Sequence, residues 1–276
     1  MKLSIAVACA ALVAAQVAAG QPRASETPRP VRLPVADADM SLYVSGAGQP
    51  TIVLLAGYGG DHRTWTVVQP KLSSFARVAS YDRLGSHAST PSKRPRVVSN
   101  FIEELREGLK KAELQPPYLL VGHSYGGAMA RLFASRYPQE VTGLVLVDPA
   151  MENFYRRAEV EAPREYLAEL EELQADADAT SSEFLKRDFL GLETSMQQLR
   201  VAPAIAGENV VILSAAEMDL PERLRAVWLD EHARWAKSVG ATHMYVKSGH
   251  SIPREQPQAV VRAIQLLLEK RKPARP

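Results

Sequence analysis

The stretch VGHSYGGAMA, residues 121–130, places a serine in a glycine-rich turn. The apolar run YLLV leading into it is typical of a short strand, and the alanine-rich segment after it is typical of a helix that ends at Pro138. Strain at a strand-to-helix turn pushes a serine hydroxyl out of the sheet, and the N–H groups at the start of the helix face a developing oxyanion. Ser124 is therefore the candidate nucleophile.

A serine hydroxyl is a weak nucleophile unless a base takes its proton, and a histidine is the usual base. Of the six histidines, His250 follows the last apolar strand-like run, 244–247, in a loop before the final helix. Loops after the strands of a parallel sheet share one edge, so His250 is expected beside Ser124. His123, inside the serine turn, is expected to point away from the hydroxyl.

The base in turn needs a carboxylate that fixes its tautomer. Asp148 directly follows the apolar run 143–147, and Asp219 comes shortly after the run 209–213. The chain order serine, aspartate, histidine holds for either residue. We favour Asp219 as the acid and keep Asp148 as the alternative.

These residues need a framework that brings them to one edge. Short strand-like runs recur at about 42–44, 51–55, 78–81, 118–121, 143–147, 209–213 and 244–247. Apolar residues at 260, 263, 264, 267 and 268 predict an amphipathic final helix. Apolar strands alternating with helices predict an α/β fold with a mostly parallel sheet flanked by helices.

The alternation stops between residues 147 and 209, where no strand pattern is found. Residues 152–183 hold ten acidic side chains against three arginines, with a thin apolar stripe formed by Tyr166, Leu167, Leu170 and Leu173. This composition predicts a helical cap at about 151–207, with the charges on a solvated outer face.

The N-terminus is typical of a targeting segment. Lys2 precedes an apolar, alanine-rich stretch that ends in small residues near Gly20, which predicts a cleaved signal peptide over 1–20 and a secreted or periplasmic protein without stable membrane insertion. The proline-rich residues 21–34 are predicted to be a flexible tail. Residues 35–276 are predicted to form one domain that includes the cap.

Composition excludes several classes of function. The single cysteine, Cys9, lies in the signal segment, so disulfides, thiol catalysis and cysteine metal sites are excluded for the mature chain. A net charge of +2 without a basic stripe argues against nucleic acid as a partner. No cofactor and no metal are expected, and the expected partner is a small ester-like molecule.

Four segments, in order, resemble the α/β-hydrolase family over about residues 40–270. TIVLLAGYGGDHRTW is similar to the family's oxyanion loop, although Ala56 replaces the common histidine before Gly57. YDRLGSHAS is similar to its D-R-x-G-x-x-x-S loop, VGHSYGG to its nucleophile elbow, and SGHSIPREQP to its histidine loop. The resemblance implies an α/β-hydrolase fold with the cap inserted between the sixth and seventh family strands.

The resemblance also implies roles for individual residues. Ser124 would be the nucleophile, His250 the base, and the backbone N–H groups of Tyr58 and Tyr125 the oxyanion hole. The family's acid most often follows the next-to-last strand, which matches Asp219. In some members it lies one strand earlier, which matches Asp148.

The predicted function is a serine hydrolase that cleaves a carboxylic ester through a Ser-His-Asp triad and an acyl-enzyme. Dehalogenases and epoxide hydrolases of this fold carry an aspartate at the position of Ser124, so they are set aside. The alternatives are a peptidase of the proline-iminopeptidase type, a carbon–carbon bond hydrolase, or a non-catalytic ligand-binding relative, because a fold does not dictate its substrate. Candidate pocket residues, each equally placed to be core, are Trp65, Met151, Phe154, Tyr155, Phe189 and Met196.

Overall fold

The computed structural model describes residues 28–179 and 182–270, so the predicted signal peptide lies outside the described residues. The strands are β1 (Pro30–Val35), β2 (Ala38–Ser45), β3 (Thr51–Leu55), β4 (Val78–Asp82), β5 (Tyr118–His123), β6 (Val141–Val147), β7 (Val210–Ala215) and β8 (Thr242–Val246). The helices are α1 (Gln69–Ser73), α2 (Val98–Lys111), α3 (Tyr125–Arg136), α4 (Phe154–Glu161), α5 (Pro163–Ala179), α6 (Glu183–Leu190), α7 (Leu192–Arg200), α8 (Glu222–Val239), α9 (Ile252–Glu255) and α10 (Pro257–Lys270). Two short 3-10 helices cover His62–Trp65 and Pro138–Glu140.

All eight strands join in one sheet, in the order β1-β2-β4-β3-β5-β6-β7-β8. Strands β3 to β8 run parallel to one another, whereas β1 and β2 pair antiparallel at one end. Parallel strands place their carboxyl ends at one edge of the sheet, where a site can be assembled from successive loops. The predicted mostly parallel sheet flanked by helices is confirmed.

Strand β1 departs from the prediction of a flexible tail over residues 21–34. Residues Pro30–Val35 pair in register with β2 and end at a tight turn where Ala36 has φ 53°. The segment contains two prolines and Arg32, so its sequence lacks the apolar pattern that is typical of a strand. An edge strand tolerates proline because one side of its backbone needs no ladder hydrogen bonds.

Alternate residues of the central strands supply two separate cores, one on each face of the sheet. In β3, Val53 and Leu55 pack into the core on the face covered by α2 and α3, whereas Ile52 and Leu54 pack into the core that includes α10. All five residues of β3 are buried. A strand buried on both faces has to be apolar throughout, which explains the continuous apolar runs in the sequence.

Helices α4 to α7 lie between β6 and β7 and form the predicted helical cap. A buried ion pair ties this cap to the sheet: a guanidinium nitrogen of Arg83, just after β4, lies 3.2 Å from Oδ2 of Asp188 in α6. Among the helices of the described residues, none combines the length and the apolar character that crossing a bilayer requires.

Candidate functional site

Ser124 lies between β5 and α3 with φ 52° and ψ −120°, a strained conformation for a residue with a side chain. Its N–H donates to the Val147 carbonyl at 3.0 Å, which joins the turn to the end of β6. The flanking glycines are sterically required: a Cβ on Gly122 would stand 2.2 Å from the Gly126 oxygen, and one on Gly126 would stand 2.1 Å from the Leu55 oxygen. The G-x-S-x-G spacing is therefore what allows this turn to pack against the sheet.

His250 lies in the loop after β8, and its Nδ1 is 2.6 Å from Oδ2 of Asp148. Asp148 is fully buried directly after β6, with φ 44°. Its other oxygen, Oδ1, accepts from the Ala215 N–H and from Trp228 Nε1, each at 3.0 Å. A carboxylate can only accept hydrogen bonds, so Nδ1 of His250 carries the hydrogen and Nε2 keeps a free lone pair.

The preferred acid of the sequence analysis, Asp219, does not lie against His250. It is exposed in the connection between β7 and α8, four residues beyond Ala215. The alternative, Asp148, makes the contact, because it is the first residue after its strand and is turned inward by its positive φ. The pairing of His250 with Asp219 is therefore wrong as a description of this site.

Electrostatics favour the charged form of Asp148. Burial alone would raise the pKa of this carboxyl, but the hydrogen bonds from His250 and from the Ala215 N–H help to outweigh it and to lower the pKa below its ordinary value. A charged, fully hydrogen-bonded carboxylate holds the imidazole of His250 in one tautomer and stabilises it once it is protonated.

His123, just before the serine, contacts the histidine loop. Its Nε2 lies 2.9 Å from the backbone carbonyl of His250, and the two rings lie 4.7 Å apart between centroids. Burial lowers the pKa of His123 to about 4, so the ring is neutral near pH 7 and donates to that carbonyl through Nε2–H. The position of His123 inside the G-x-S-x-G motif marks it in the sequence, but no sequence pattern predicts its contact with the His250 carbonyl.

A second buried imidazole, His232 of α8, lies behind Asp148. Its Nε2 is 2.8 Å from the Pro149 carbonyl, and its Nδ1 is 2.7 Å from Ser214 Oγ. Burial lowers the pKa of His232 to about 4, so this ring is also neutral near pH 7. Neither His232 nor Trp228 is indicated by a local motif, because both come from a helix distant in sequence.

The segment predicted to form the oxyanion loop lies directly against the serine. A Cβ on Gly57 would stand 3.0 Å from Cβ of Ser124, so a side chain at this position would crowd the serine. Arg83 anchors the segment from below by donating to the carbonyls of Ala56 and Gly57 at 2.9 and 2.8 Å. Tyr58 follows Gly57 at the wall of the same cavity as Ser124.

Tyr125, the other predicted oxyanion residue, is the first residue of α3. The first N–H groups of an α-helix have no acceptor within the helix, so the N–H of Tyr125 is not used by α3 itself. The phenol of Tyr125 is buried and donates to Ser195 of the cap at 2.7 Å. The cap thus holds the residue next to the serine.

A cavity of about 720 Å³ lies between the sheet edge and the cap, and Ser124 and His250 both line it. The cap contributes Tyr166, Leu170 and Leu173 of the predicted apolar stripe, whereas Leu167 points outward. Among the candidate pocket residues, Phe154 and Tyr155 line this cavity, and Trp65, Met151 and Met196 are buried core. Phe189 is half-buried in α6 away from the cavity wall.

The family described as the alpha/beta hydrolase fold matches residues 50–200, more than half of the chain. The chain belongs to the alpha/beta hydrolase family. The resemblance inferred from the four sequence segments is thereby confirmed.

Individual relatives match only part of this chain or resemble it only in fold. YqjL of Bacillus subtilis (strain 168) is 37% identical over 106 residues, which are 38% of this chain and 42% of YqjL. The chain thus aligns with less than half the length of its curated relatives.

Among solved structures, the haloalkane dehalogenase DbeA from Bradyrhizobium elkani USDA94 has a TM-score of 0.64 at 15% identity, covering 87% of this chain and 97% of its own. A thermophilic esterase from Thermogutta terrifontis has a TM-score of 0.59 at 20% identity, covering 88% and 98%. These two similarities show that the fold is shared. The chemistry has to be inferred from the residues of the site, because proteins of one fold catalyse different reactions.

Proposed function

We propose that this protein is a serine hydrolase that cleaves a carboxylic ester through an acyl-enzyme, with Ser124, His250 and Asp148 as the triad. The observation that carries the proposal is the strained serine turn on the same cavity as a histidine whose Nδ1 lies 2.6 Å from a buried carboxylate. Asp148 takes the role of the acid in place of Asp219, the residue favoured on sequence alone.

The chemistry follows from the roles of these groups. Nε2 of His250 takes the proton of Ser124 as Oγ attacks the ester carbonyl, and the backbone N–H groups of Tyr58 and Tyr125 stabilise the oxyanion. The imidazolium then protonates the leaving alcohol, and the acyl group stays on Oγ. Water, deprotonated by His250, attacks the acyl-enzyme and releases the carboxylic acid.

The cavity supports an ester with an apolar acyl group as the small-molecule partner. Aromatic and aliphatic side chains from the cap and from α8, among them Phe154, Leu170 and Leu224, form much of its wall. Such a wall stabilises a bound hydrocarbon by removing its surface from water. We also propose that the chain is exported, which the apolar stretch after Lys2 supports and which N-terminal sequencing of protein from the culture medium and periplasm would test.

The test is hydrolysis of p-nitrophenyl esters of increasing acyl length by the wild type, by Ser124→Ala and by Ser251→Ala. Ser251 lines the same cavity and is the matched control. We expect turnover that is lost only in Ser124→Ala, with a fluorophosphonate probe forming a covalent adduct on Ser124. Labelling without ester turnover would redirect the search to peptide or carbon–carbon bonds. Folded wild-type protein that neither turns over nor labels would refute the proposal.

A further inference from the structure

A cluster of two histidines and one aspartate lies outside the candidate cavity. Asp82 ends β4, His62 begins the 3-10 helix after the oxyanion segment, and His87 lies in the loop after β4. Nδ1 of His62 is 2.7 Å from Oδ1 of Asp82, and Nδ1 of His87 is 3.3 Å from Oδ2. One nitrogen from each ring and one carboxylate oxygen lie within 4.8 Å of one another.

These spacings are close to those of a metal site. Bonds of 2.0–2.1 Å in tetrahedral geometry separate neighbouring ligand atoms by about 3.4 Å. The distance from His87 Nδ1 to Oδ2 of Asp82, 3.3 Å, already has this value, and the distance from His62 Nδ1 to Oδ1, 2.7 Å, would open by about 0.7 Å as the cation replaces the shared hydrogen. The two contacts use different oxygens of the same carboxylate, so the ion would be held by both. Imidazole nitrogen with carboxylate oxygen is a ligand set that suits zinc and similar divalent ions.

The surroundings of the cluster hold two of the three ligands in place. Asp82 is fully buried and also accepts from Tyr43 Oη at 3.0 Å and from the Ala88 N–H at 3.2 Å. The ring of His62 stacks on Tyr43 with centroids 3.7 Å apart. A rigid carboxylate with hydrogen-bonded outer partners orients a metal ligand.

His87, the third candidate ligand, is partly exposed and has a strained backbone. His87 has φ 44°, a conformation that costs energy for a residue with a side chain, and strained residues concentrate at functional sites. Its side chain is 37% exposed, so a cation enters from solvent past this ring. A ligand role for His87 accounts for both features.

We propose that His62, Asp82 and His87 bind one divalent cation of the zinc class. The ion would clamp the start of the 3-10 helix, next to the oxyanion segment, to the loop after β4. This inference departs from the expectation of no metal, and it does not depend on the proposed ester hydrolysis, because none of the three residues lines the candidate cavity.

The test uses the protein without a histidine tag, freed of metal with a chelator and then dialysed. Zinc titration by calorimetry and thermal unfolding with and without zinc are measured on the wild type, His87→Gly and His243→Gln. Glycine suits the backbone at residue 87, so His87→Gly removes a ligand and keeps the fold. His243 is a half-buried histidine outside the cluster and serves as the matched control.

We expect one zinc ion per wild-type chain and a rise in the melting temperature of about 5 °C or more at a hundredfold excess over the dissociation constant. His243→Gln should keep both effects, His87→Gly should lose both, and magnesium should produce neither, because it prefers all-oxygen ligand sets. Absence of zinc binding in the wild type would overturn the proposal. Equal binding by His87→Gly would overturn it as well, since zinc would then be held elsewhere.

Discussion

The Asp148→Asn substitution changes one carboxylate into an amide of the same shape, and the contacts of Asp148 determine how that amide must lie. Oδ1 accepts from two N–H groups, those of Ala215 and Trp228. An amide NH2 group cannot accept, so the asparagine oxygen has to stay at this position. The NH2 group then faces Nδ1 of His250, where Oδ2 stands in the wild type.

An NH2 group facing Nδ1 forces this nitrogen to accept, so the hydrogen of the neutral ring moves to Nε2. His250 then has no lone pair toward Ser124 and cannot take the proton of the hydroxyl. Loss of the correct tautomer in a serine triad lowers kcat by about 10⁴-fold, which corresponds to about 5.5 kcal/mol in activation free energy. Catalysis from the oxyanion donors and from binding should remain.

The assay is kcat on a saturating p-nitrophenyl ester at pH 7.5 for the wild type, Asp148→Asn and Asp219→Asn, with circular dichroism as the check on folding. Asp219 is exposed, so its variant should stay within about twofold of the wild type. If folded Asp148→Asn keeps more than a tenth of the wild-type kcat, the tautomer reasoning is wrong. A loss of about 10³-fold in Asp219→Asn would restore the acid that the sequence favoured.

Three further outcomes follow from the same site. Trp228→Phe removes a donor to Asp148 and should lower the free energy of unfolding by about 2 kcal/mol in urea titrations; an unchanged midpoint would contradict that role. His123→Phe removes the donor to the His250 carbonyl and should lower kcat about tenfold with KM nearly constant, whereas a change in KM alone would show that the contact positions nothing. In the folded protein His123 and His232 have pKa values of about 4, against an ordinary 6.5. Between these two values the unfolded chain binds more protons than the folded one. The free energy of unfolding is therefore at its full value above pH 6.5 and decreases as the pH falls toward 4. Between pH 7.5 and 5.5 the loss should be about 1.4 kcal/mol for each histidine, and equal urea midpoints at the two pH values would rule it out.

The candidate nucleophile and base are predictable from sequence because their signals are local. Ser124 has glycines at fixed spacing between a strand pattern and a helix pattern, and the close approaches of Gly122 and Gly126 show why no other residue fits there. His250 follows the last strand pattern, and parallel strands bring such loops to one edge. The cap is predictable from the interruption of the alternating pattern.

The first strand and the supporting contacts of the site carry no comparable signal. β1 has the composition of a loop and is a strand only because β2 offers it an edge to pair with. The hydrogen bond from Trp228 to Asp148 joins residues 80 positions apart, and no short pattern predicts such a contact. These features depend on packing rather than on local propensity.

The sequence by itself determined the fold class and pointed to the candidate nucleophile and base, because glycine spacing and strand periodicity act over a few residues. The choice between Asp148 and Asp219 was decided by the tertiary structure alone. Both aspartates follow strands that end at the same edge, so chain order cannot separate them. Asp148 is the partner of His250 because its positive φ turns it inward beneath Trp228 and the Ala215 N–H, whereas the chain carries Asp219 out to solvent.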